Sequence, residues 1–172
     1  MRSACVTDEA DGDWGRATAT FSADRLHRYR LTRIWDDTAP LVNFLMLNPS
    51  TANALQLDPT NRRCMGFAQN WGYGGVVTTN IFGFRSTDPK GLRTAVDPVG
   101  PDNDEFIIGA ARSCNLVVAA WGTHGELHGR GVQVRALLRN VGVELHTLRL
   151  TKAGYPGHPL YVSASACPSV WQ

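Results

Sequence analysis

The chain contains four separate runs rich in apolar residues, each with the length of a buried strand. They lie at 41–47, 76–81, 116–121 and 143–148. Short apolar runs bounded by Gly, Pro or Asn are typical of strands covered on both faces of a sheet. The pattern therefore predicts four buried strands.

Segments with helical spacing separate these runs. Asp58 followed by Pro59 predicts a helix start, because Asp caps helix N-termini and proline suits the first turn. Two more helices are predicted over 102–112 and 131–140. Because parallel neighbours need crossover connections, this alternation predicts an α/β fold, a three-layer α/β/α sandwich around a central, mainly parallel sheet.

The first 35 residues follow a different pattern. Residues 1–14 are polar and rich in Asp, and they predict a flexible N-terminus. Residues 17–35 are rich in β-formers around a turn at 22–25, which predicts an N-terminal antiparallel β pair. The remaining chain, 15–172, is expected to be a single α/β domain.

Composition narrows the class of protein. The 172 residues, 43% of them hydrophobic, suit one globular domain. No window approaches the roughly 18 apolar residues of a membrane span, and residues 1–20 lack an apolar signal core, so we expect a cytoplasmic protein with no membrane partner. Four cysteines without a Cys-x-x-Cys pair give no tetrahedral ligand set, so we expect no metal and no cofactor. The motifs of P-loop, dinucleotide-binding and serine-hydrolase sites are absent as well.

Charge gives a local signal rather than a global one. Seventeen Lys and Arg against fifteen Asp and Glu leave a formal charge of +2, so net charge does not indicate nucleic acid, although such a partner stays open. Most of the cations are Arg, which favours planar, phosphate-like partners. Arg28, Arg30 and Arg33 form either a solvated face or a phosphate-facing patch.

Candidate site residues follow the first two predicted strands, since ligands bind beyond the carboxyl ends of parallel strands. After the first strand these are Asn48, Pro49, Ser50 and Thr51, and after the second they are Asn80, Phe82 and Arg85. Asn48 either forms a turn or positions a water or a polar group of a ligand. Asn80 can read the edge of a planar heterocycle, whereas Phe82 is either a stacking partner or part of the core.

Further candidates lie at the first helix and after the later strands: Asp58, Asn61, Arg62, Trp121, His124, Lys152 and His158. Asp58 is either an N-cap or a site residue. Arg62 and Arg63 point in different directions on a helix, so at most one is expected to face a ligand. His158 can change protonation near neutral pH, or it can be simply solvated.

Several motifs together resemble a bacterial and phage family known only as a domain of unknown function. They are Met46-Leu-Asn-Pro-Ser-Thr51, Asp58-Pro-Thr-Asn-Arg-Arg63, Trp71-Gly-Tyr-Gly74, Thr79-Asn-Ile-Phe82, Arg85-Ser-Thr-Asp-Pro89, Gly100-Pro-Asp-Asn-Asp104, Ala120-Trp-Gly-Thr-His124, Leu150-Thr-Lys-Ala-Gly154 and His158-Pro-Leu-Tyr161. The resemblance covers nearly all of 29–161, but the family name implies no activity.

A more distant resemblance is to the uracil-DNA glycosylase superfamily, above all its mismatch-specific branch. The motifs that carry it, in the family's order, are Met46-Leu-Asn-Pro-Ser50, Pro59-Thr-Asn-Arg62, Thr79-Asn80 and His158-Pro-Leu-Tyr161. The sequence departs from the family where Met46 and Ser50 replace glycines and where Leu160–Tyr161 replaces Ser-Pro. The resemblance implies a glycosylase-like fold and a nucleobase-containing ligand, which can be a DNA base, a free nucleoside or nucleotide, or a modified base.

The same resemblance implies roles for individual side chains. Asn48 would hold the water that attacks the anomeric carbon, Asn80 would read the base, and His158 would stabilise charge on the departing base. Phe82 would be a stacking partner. Such a protein would hydrolyse or exchange an N-glycosidic bond. Two alternatives stay open: a non-catalytic nucleotide or nucleic-acid binding module, and a phage or mobile-element accessory protein that acts through protein contacts.

Overall fold

The computed structural model describes residues 4–172, which form one eight-stranded sheet with helices packed on it. The strands are β1 (Cys5–Gly12), β2 (Gly15–Ser22), β3 (Arg28–Ile34), β4 (Leu41–Met46), β5 (Gly75–Asn80), β6 (Leu116–Ala119), β7 (His146–Thr147) and β8 (Ser169–Val170). The helices are α1 (Pro59–Asn70), α2 (Gly91–Thr94), α3 (Asn103–Ser113) and α4 (Arg130–Asn140), with 3-10 turns at Thr123–Gly129 and Pro159–Tyr161. None of the helices in this described part is long and apolar enough to cross a membrane.

Antiparallel pairings outnumber parallel ones in this sheet, whose strand order is β1-β2-β3-β5-β4-β6-β7-β8. The pairings β1–β2, β2–β3, β3–β5 and β7–β8 are antiparallel. The segment β5-β4-β6-β7 is parallel. The prediction of a three-layer sandwich around a mainly parallel sheet was therefore wrong. The predicted N-terminal antiparallel pair is present as β2 and β3, and β3 also docks on the edge of β5, so the pair extends the same sheet.

The N-terminal segment for which we expected flexibility contains β1. Residues 5–12 pair with β2 over the whole length of the strand. Exposed and half-buried residues alternate along most of β1, as they do where one face of a strand is open to solvent. The sheet thus includes a strand that lies before the boundary at residue 15 that the sequence suggests.

Successive side chains of the central strands pack into two separate hydrophobic cores, one on each face of the sheet. These strands are therefore apolar on both faces. Phe44 on β4 packs in a cluster with Phe67 of α1. The next residue, Leu45, packs in a second cluster with Ile107 of α3 and Leu138 of α4. The central part of the sheet is therefore enclosed between α1 and the α3–α4 pair, and polar groups gather at the ends of its strands.

Strand β3 carries one extra residue at Tyr29. Arg30 and Arg28 pair with consecutive residues of β2, so Tyr29 has no partner there. Such a bulge shifts the alternation of side chains by one residue. Arg30 lies on the α3 side, with its guanidinium 5.6 Å from the ring centre of Phe106. Arg28 faces the other side of the sheet, where α1 begins.

Candidate functional site

A cavity of about 480 Å³ opens at the carboxyl ends of β4, β5 and β6, beside the start of α1. Predicted site residues from all of these elements line it: Asn48, Pro49, Ser50, Asp58, Asn61, Asn80, Trp121, His124 and His158. Parallel strands end at the same edge of the sheet, so residues distant in sequence meet there. Polar side chains from these motifs thus gather around one cavity.

Asn48 is held by its amide nitrogen. Nδ2 donates to the carbonyl oxygen of Ser86 at 2.8 Å and to that of Pro49 at 3.2 Å. These bonds tie the end of β4 to the loop after β5, and Ser86 returns a backbone bond to Pro49. Because both bonds use Nδ2, the Oδ1 atom of Asn48 remains an acceptor with no partner among the described residues.

Three uncharged polar side chains in the cavity are buried and yet have no hydrogen-bond partner among residues 4–172. Asn80 is 3% exposed, Asn61 is 7% exposed and Thr78 is similarly buried. None of their side-chain atoms bonds to another group in residues 4–172, although these atoms keep some accessible surface. Buried polar groups are nearly always satisfied by protein or by water, so these side chains are free to bond to water or to a ligand in the cavity.

His158 is presented by a loop that α1 holds in place. Arg63 of α1 donates to the carbonyl oxygens of Pro159, at 3.3 Å, and of Val162. Burial lowers the pKa of His158 below its usual 6.5, while the nearby Asp58 carboxylate acts in the opposite direction. The imidazole is therefore neutral at pH 7.

Two aromatic side chains border the cavity. Trp121 is buried and makes an edge contact with Trp171, the ring centres being 5.4 Å apart. Its indole lies close against Gly125, where an added Cβ would be 2.2 Å from the ring. Tyr161 is exposed and lies 5.6 Å from the His158 ring, at a tilted angle. The cavity is thus bordered by one buried and one exposed aromatic ring, and a flat ligand can stack on such rings.

Asp58 caps α1 and also lies at the cavity. Its Oδ1 accepts a hydrogen bond from the backbone N–H of Asn61 at 2.6 Å and caps α1. The same residue lines the cavity. It brings a negative charge close to the uncapped N–H groups of the first helical turn, which favour anions.

The structure places five predicted residues outside this cavity: Thr51, Arg62, Phe82, Arg85 and Lys152. Phe82 is fully buried in the core beside α3 and α4, so it is a core residue rather than a stacking partner. Arg85 donates to the carbonyl oxygens of Arg25 and Thr51 and lies over the Phe21 ring. It braces loops around the site.

Arg62 and Lys152 are exposed. Consecutive side chains on a helix point about 100° apart. Of the neighbours Asn61 and Arg62 on α1, Asn61 therefore faces the cavity and Arg62 faces solvent. Arg63, the other candidate at this point, bonds to the His158 loop. Lys152 borders a smaller adjoining depression of about 310 Å³ that shares His158 and Tyr161 with the main cavity.

Two further cavity residues are Arg28, which the sequence offered only as part of a solvated face or a phosphate-facing patch, and Thr78, which it did not single out. Thr78 has a signal, since it lies two residues before Asn80 and thus on the same face of β5. Arg28 has no such signal, because the bulge at Tyr29 reverses the face that simple alternation assigns to it. Within residues 4–172, no group of three or more His, Cys, Asp or Glu side chains is placed to hold a metal ion.

The structure is thus a mixed sheet with a cavity lined by polar side chains at its strand ends. A family model described as protein of unknown function (DUF1643) matches residues 28–160, and the chain belongs to that family. The match runs from the first cavity residue, Arg28, almost to the last. Comparison with curated proteins and with solved structures gives no match to either.

Proposed function

We propose that the cavity binds a nucleobase-containing ligand and that Asn48 and His158 promote hydrolysis or exchange of its N-glycosidic bond. The observation that carries this proposal is the carboxamide of Asn80, 3% exposed and without a protein partner at the cavity wall. A carboxamide both donates and accepts, so it can form a bidentate pair with the edge of a base.

The rest of the cavity suits a flat, polar heterocycle. Its volume of about 480 Å³ lies in the range of small-molecule sites. Trp121 supplies a buried aromatic ring, and bases recognised outside a helix commonly stack on such rings. Asn61 and Thr78 add unpartnered polar groups on the same wall.

Cleavage of an N-glycosidic bond needs a placed water and stabilisation of the departing base. In the proposed step, the water oxygen bonds to the anomeric carbon, the C–N bond breaks with its electrons going to the base, and the proton lost by water ends on the base. The free Oδ1 of Asn48 is an acceptor for that water, because Nδ2 is held by Ser86 and Pro49. A neutral His158 can donate to the departing base. The order of the glycosylase-like motifs supports these roles.

The first test is binding. Calorimetric titration of the protein with the common nucleobases, nucleosides, mononucleotides and a short oligonucleotide should show binding to at least one of them. Asn80→Ala should weaken that binding about 5- to 150-fold, the worth of one bidentate base contact of roughly 1–3 kcal/mol. Asn70→Ala, at the exposed end of α1, is the matched control and should change nothing. Absence of binding across the whole panel would contradict the proposal and favour action through protein contacts.

The second test is turnover. Chromatography should detect free base released from the ligand that binds. Asn48→Ala and His158→Ala should lower the rate of release and leave affinity nearly unchanged, because both groups act on the transition state. Tight binding without any base release by the unaltered protein would leave a non-catalytic binding module.

A further inference from the structure

The cavity contains a buried cation that none of the described residues neutralises. Arg28 is 6% exposed and lines the cavity. In residues 4–172 its guanidinium makes no hydrogen bond and no ion pair, and its nitrogens nevertheless keep accessible surface. Arginine is almost never buried without a partner, so this guanidinium is set to pair with a group that enters from outside.

The charges around Arg28 do not neutralise its guanidinium. Arg33 and Arg85 are close enough to disfavour its charged form, whereas the Asp58 carboxylate favours that form from outside ion-pair distance. Asp58 is moreover engaged in capping α1. Burial lowers the pKa of Arg28 to about 10, which still leaves the guanidinium charged at neutral pH.

The position of Arg28 is built into the backbone rather than reached by a flexible loop. The backbone N–H of Arg28 donates to the carbonyl oxygen of Gly83 at 2.9 Å, which joins β3 to the chain leaving β5. The bulge at Tyr29 then turns the side chain toward the start of α1. The guanidinium therefore lines the same cavity as Asn80 and Asn61.

We propose that Arg28 binds a phosphate group of the ligand, so that the substrate is a nucleotide rather than a nucleoside or a free base. This inference rests on the proposed function, because phosphate is the group that gives a nucleobase-containing ligand its negative charge. The planar guanidinium fork matches phosphate oxygens, and the side chains of Asn61 and Thr78 add donors beside it. The phosphate can be the monoester of a free nucleotide or the diester of a strand.

Calorimetry with matched ligands tests this assignment. A nucleoside 5′-monophosphate should bind the unaltered protein at least about tenfold more tightly than the same nucleoside, the worth of a charge-assisted hydrogen bond. Arg28→Gln should abolish that preference, Arg28→Lys should keep part of it, and Arg112→Gln, at the exposed end of α3, should preserve it. A short single-stranded oligonucleotide that outcompetes the mononucleotide, in an Arg28-dependent way, would identify the diester as the source.

Two outcomes separate this inference from the proposed function. Equal binding of nucleoside and nucleotide by the unaltered protein would overturn the role of Arg28 and leave nucleobase recognition standing. Inorganic phosphate is the complementary probe: thermal stabilisation of the unaltered protein and of Arg112→Gln, but not of Arg28→Gln, supports the anion site even if no nucleobase binds. Comparing the affinities of the nucleoside and the nucleotide for the unaltered protein needs no variant. That comparison therefore tests the phosphate preference even if Arg28→Gln does not fold.

Discussion

The Nδ1 atom of His158 accepts a hydrogen bond from the backbone N–H of Leu160 at 3.2 Å. A ring nitrogen can accept only when it carries no proton, so in the neutral ring the proton resides on Nε2. The fold therefore selects one tautomer and leaves Nε2–H as the donor of the ring. A donor without charge suits a base that leaves with extra electrons, because it stabilises the product without holding it as an ion pair.

The first prediction concerns the titration of His158. Burial lowers its pKa, so an NMR titration of the ring should give a midpoint below 6.5, with ¹⁵N shifts typical of the Nε2–H tautomer. The unfolded chain takes up this proton at higher pH than the folded one. The contribution of His158 to the free energy of unfolding is thus complete above about pH 6.5 and falls as pH drops through the folded pKa.

Urea denaturation of the protein and of His158→Gln between pH 5 and 8 checks the sign. As pH falls below 6.5, the free energy of unfolding of the unaltered protein should decrease relative to that of His158→Gln. A midpoint for His158 above 6.5 would mean that Asp58, and not burial, controls the imidazole.

The second prediction separates the two roles of Asp58. Asp58→Ala removes the N-cap bond to Asn61 and should lower the free energy of unfolding by about 1 kcal/mol. Asp58→Asn keeps an acceptor at the cap and should cost less. Both variants remove the carboxylate that raises the pKa of His158, so both should shift its NMR midpoint further down. Equal stability of the two variants would deny Asp58 a capping role.

The third prediction concerns the anchoring of Asn48. Asn48→Ala should lower the free energy of unfolding by roughly 1–2 kcal/mol, because the carbonyl oxygen of Ser86 loses its side-chain donor and that of Pro49 keeps only the backbone N–H of Ser86. Asn48→Asp should cost more, since a carboxylate oxygen would then face those carbonyl oxygens. Chemical denaturation measures both changes, with Asn70→Ala as the reference for an exposed amide. If Asp is tolerated as well as Asn, the side chain is turned with Oδ1 toward Ser86.

The fourth prediction uses a glycine to reach the aromatic wall of the cavity. A Cβ on Gly125 would lie 2.2 Å from the Trp121 ring, so Gly125→Ala must displace the indole and should cost about 1–3 kcal/mol of stability. Ligand binding should weaken as well. Gly109→Ala in α3 meets no neighbouring atom and should be neutral or stabilising by up to about 1 kcal/mol. Thermal denaturation and calorimetry of this pair distinguish the clash from a general effect of added bulk.

Local pattern predicts the central elements well and their partners poorly. The four apolar runs form β4, β5, β6 and β7, and these strands do pair in parallel. Strand β7 is only two residues long, because residues 143–145 of the predicted run do not join the sheet. Nothing in the alternation of β3 shows that it joins β5, since edge docking depends on contacts between residues far apart in sequence. That pairing and the antiparallel β7–β8 pairing make the sheet mixed.

The same distinction applies to the site. The rule that ligands bind at carboxyl ends of parallel strands leads to Asn48, Asn80 and Trp121. It overlooks Arg28, because an antiparallel strand brings its first residue, and not its last, to that edge. The same rule selects Phe82 as a site residue, but the chain after β5 turns into the core beside α3, so Phe82 is buried there.

The extra residue at Tyr29 has a consequence for how such a site can change. Substitution of Arg28 would remove the cation, but loss of one residue from β3 would move it to the opposite face of the sheet with its identity intact. Within a lineage, an insertion or deletion in this strand can therefore alter which ligands are accepted while every other cavity side chain keeps its place. Point-by-point comparison of residues would not reveal such an event, whereas strand length would.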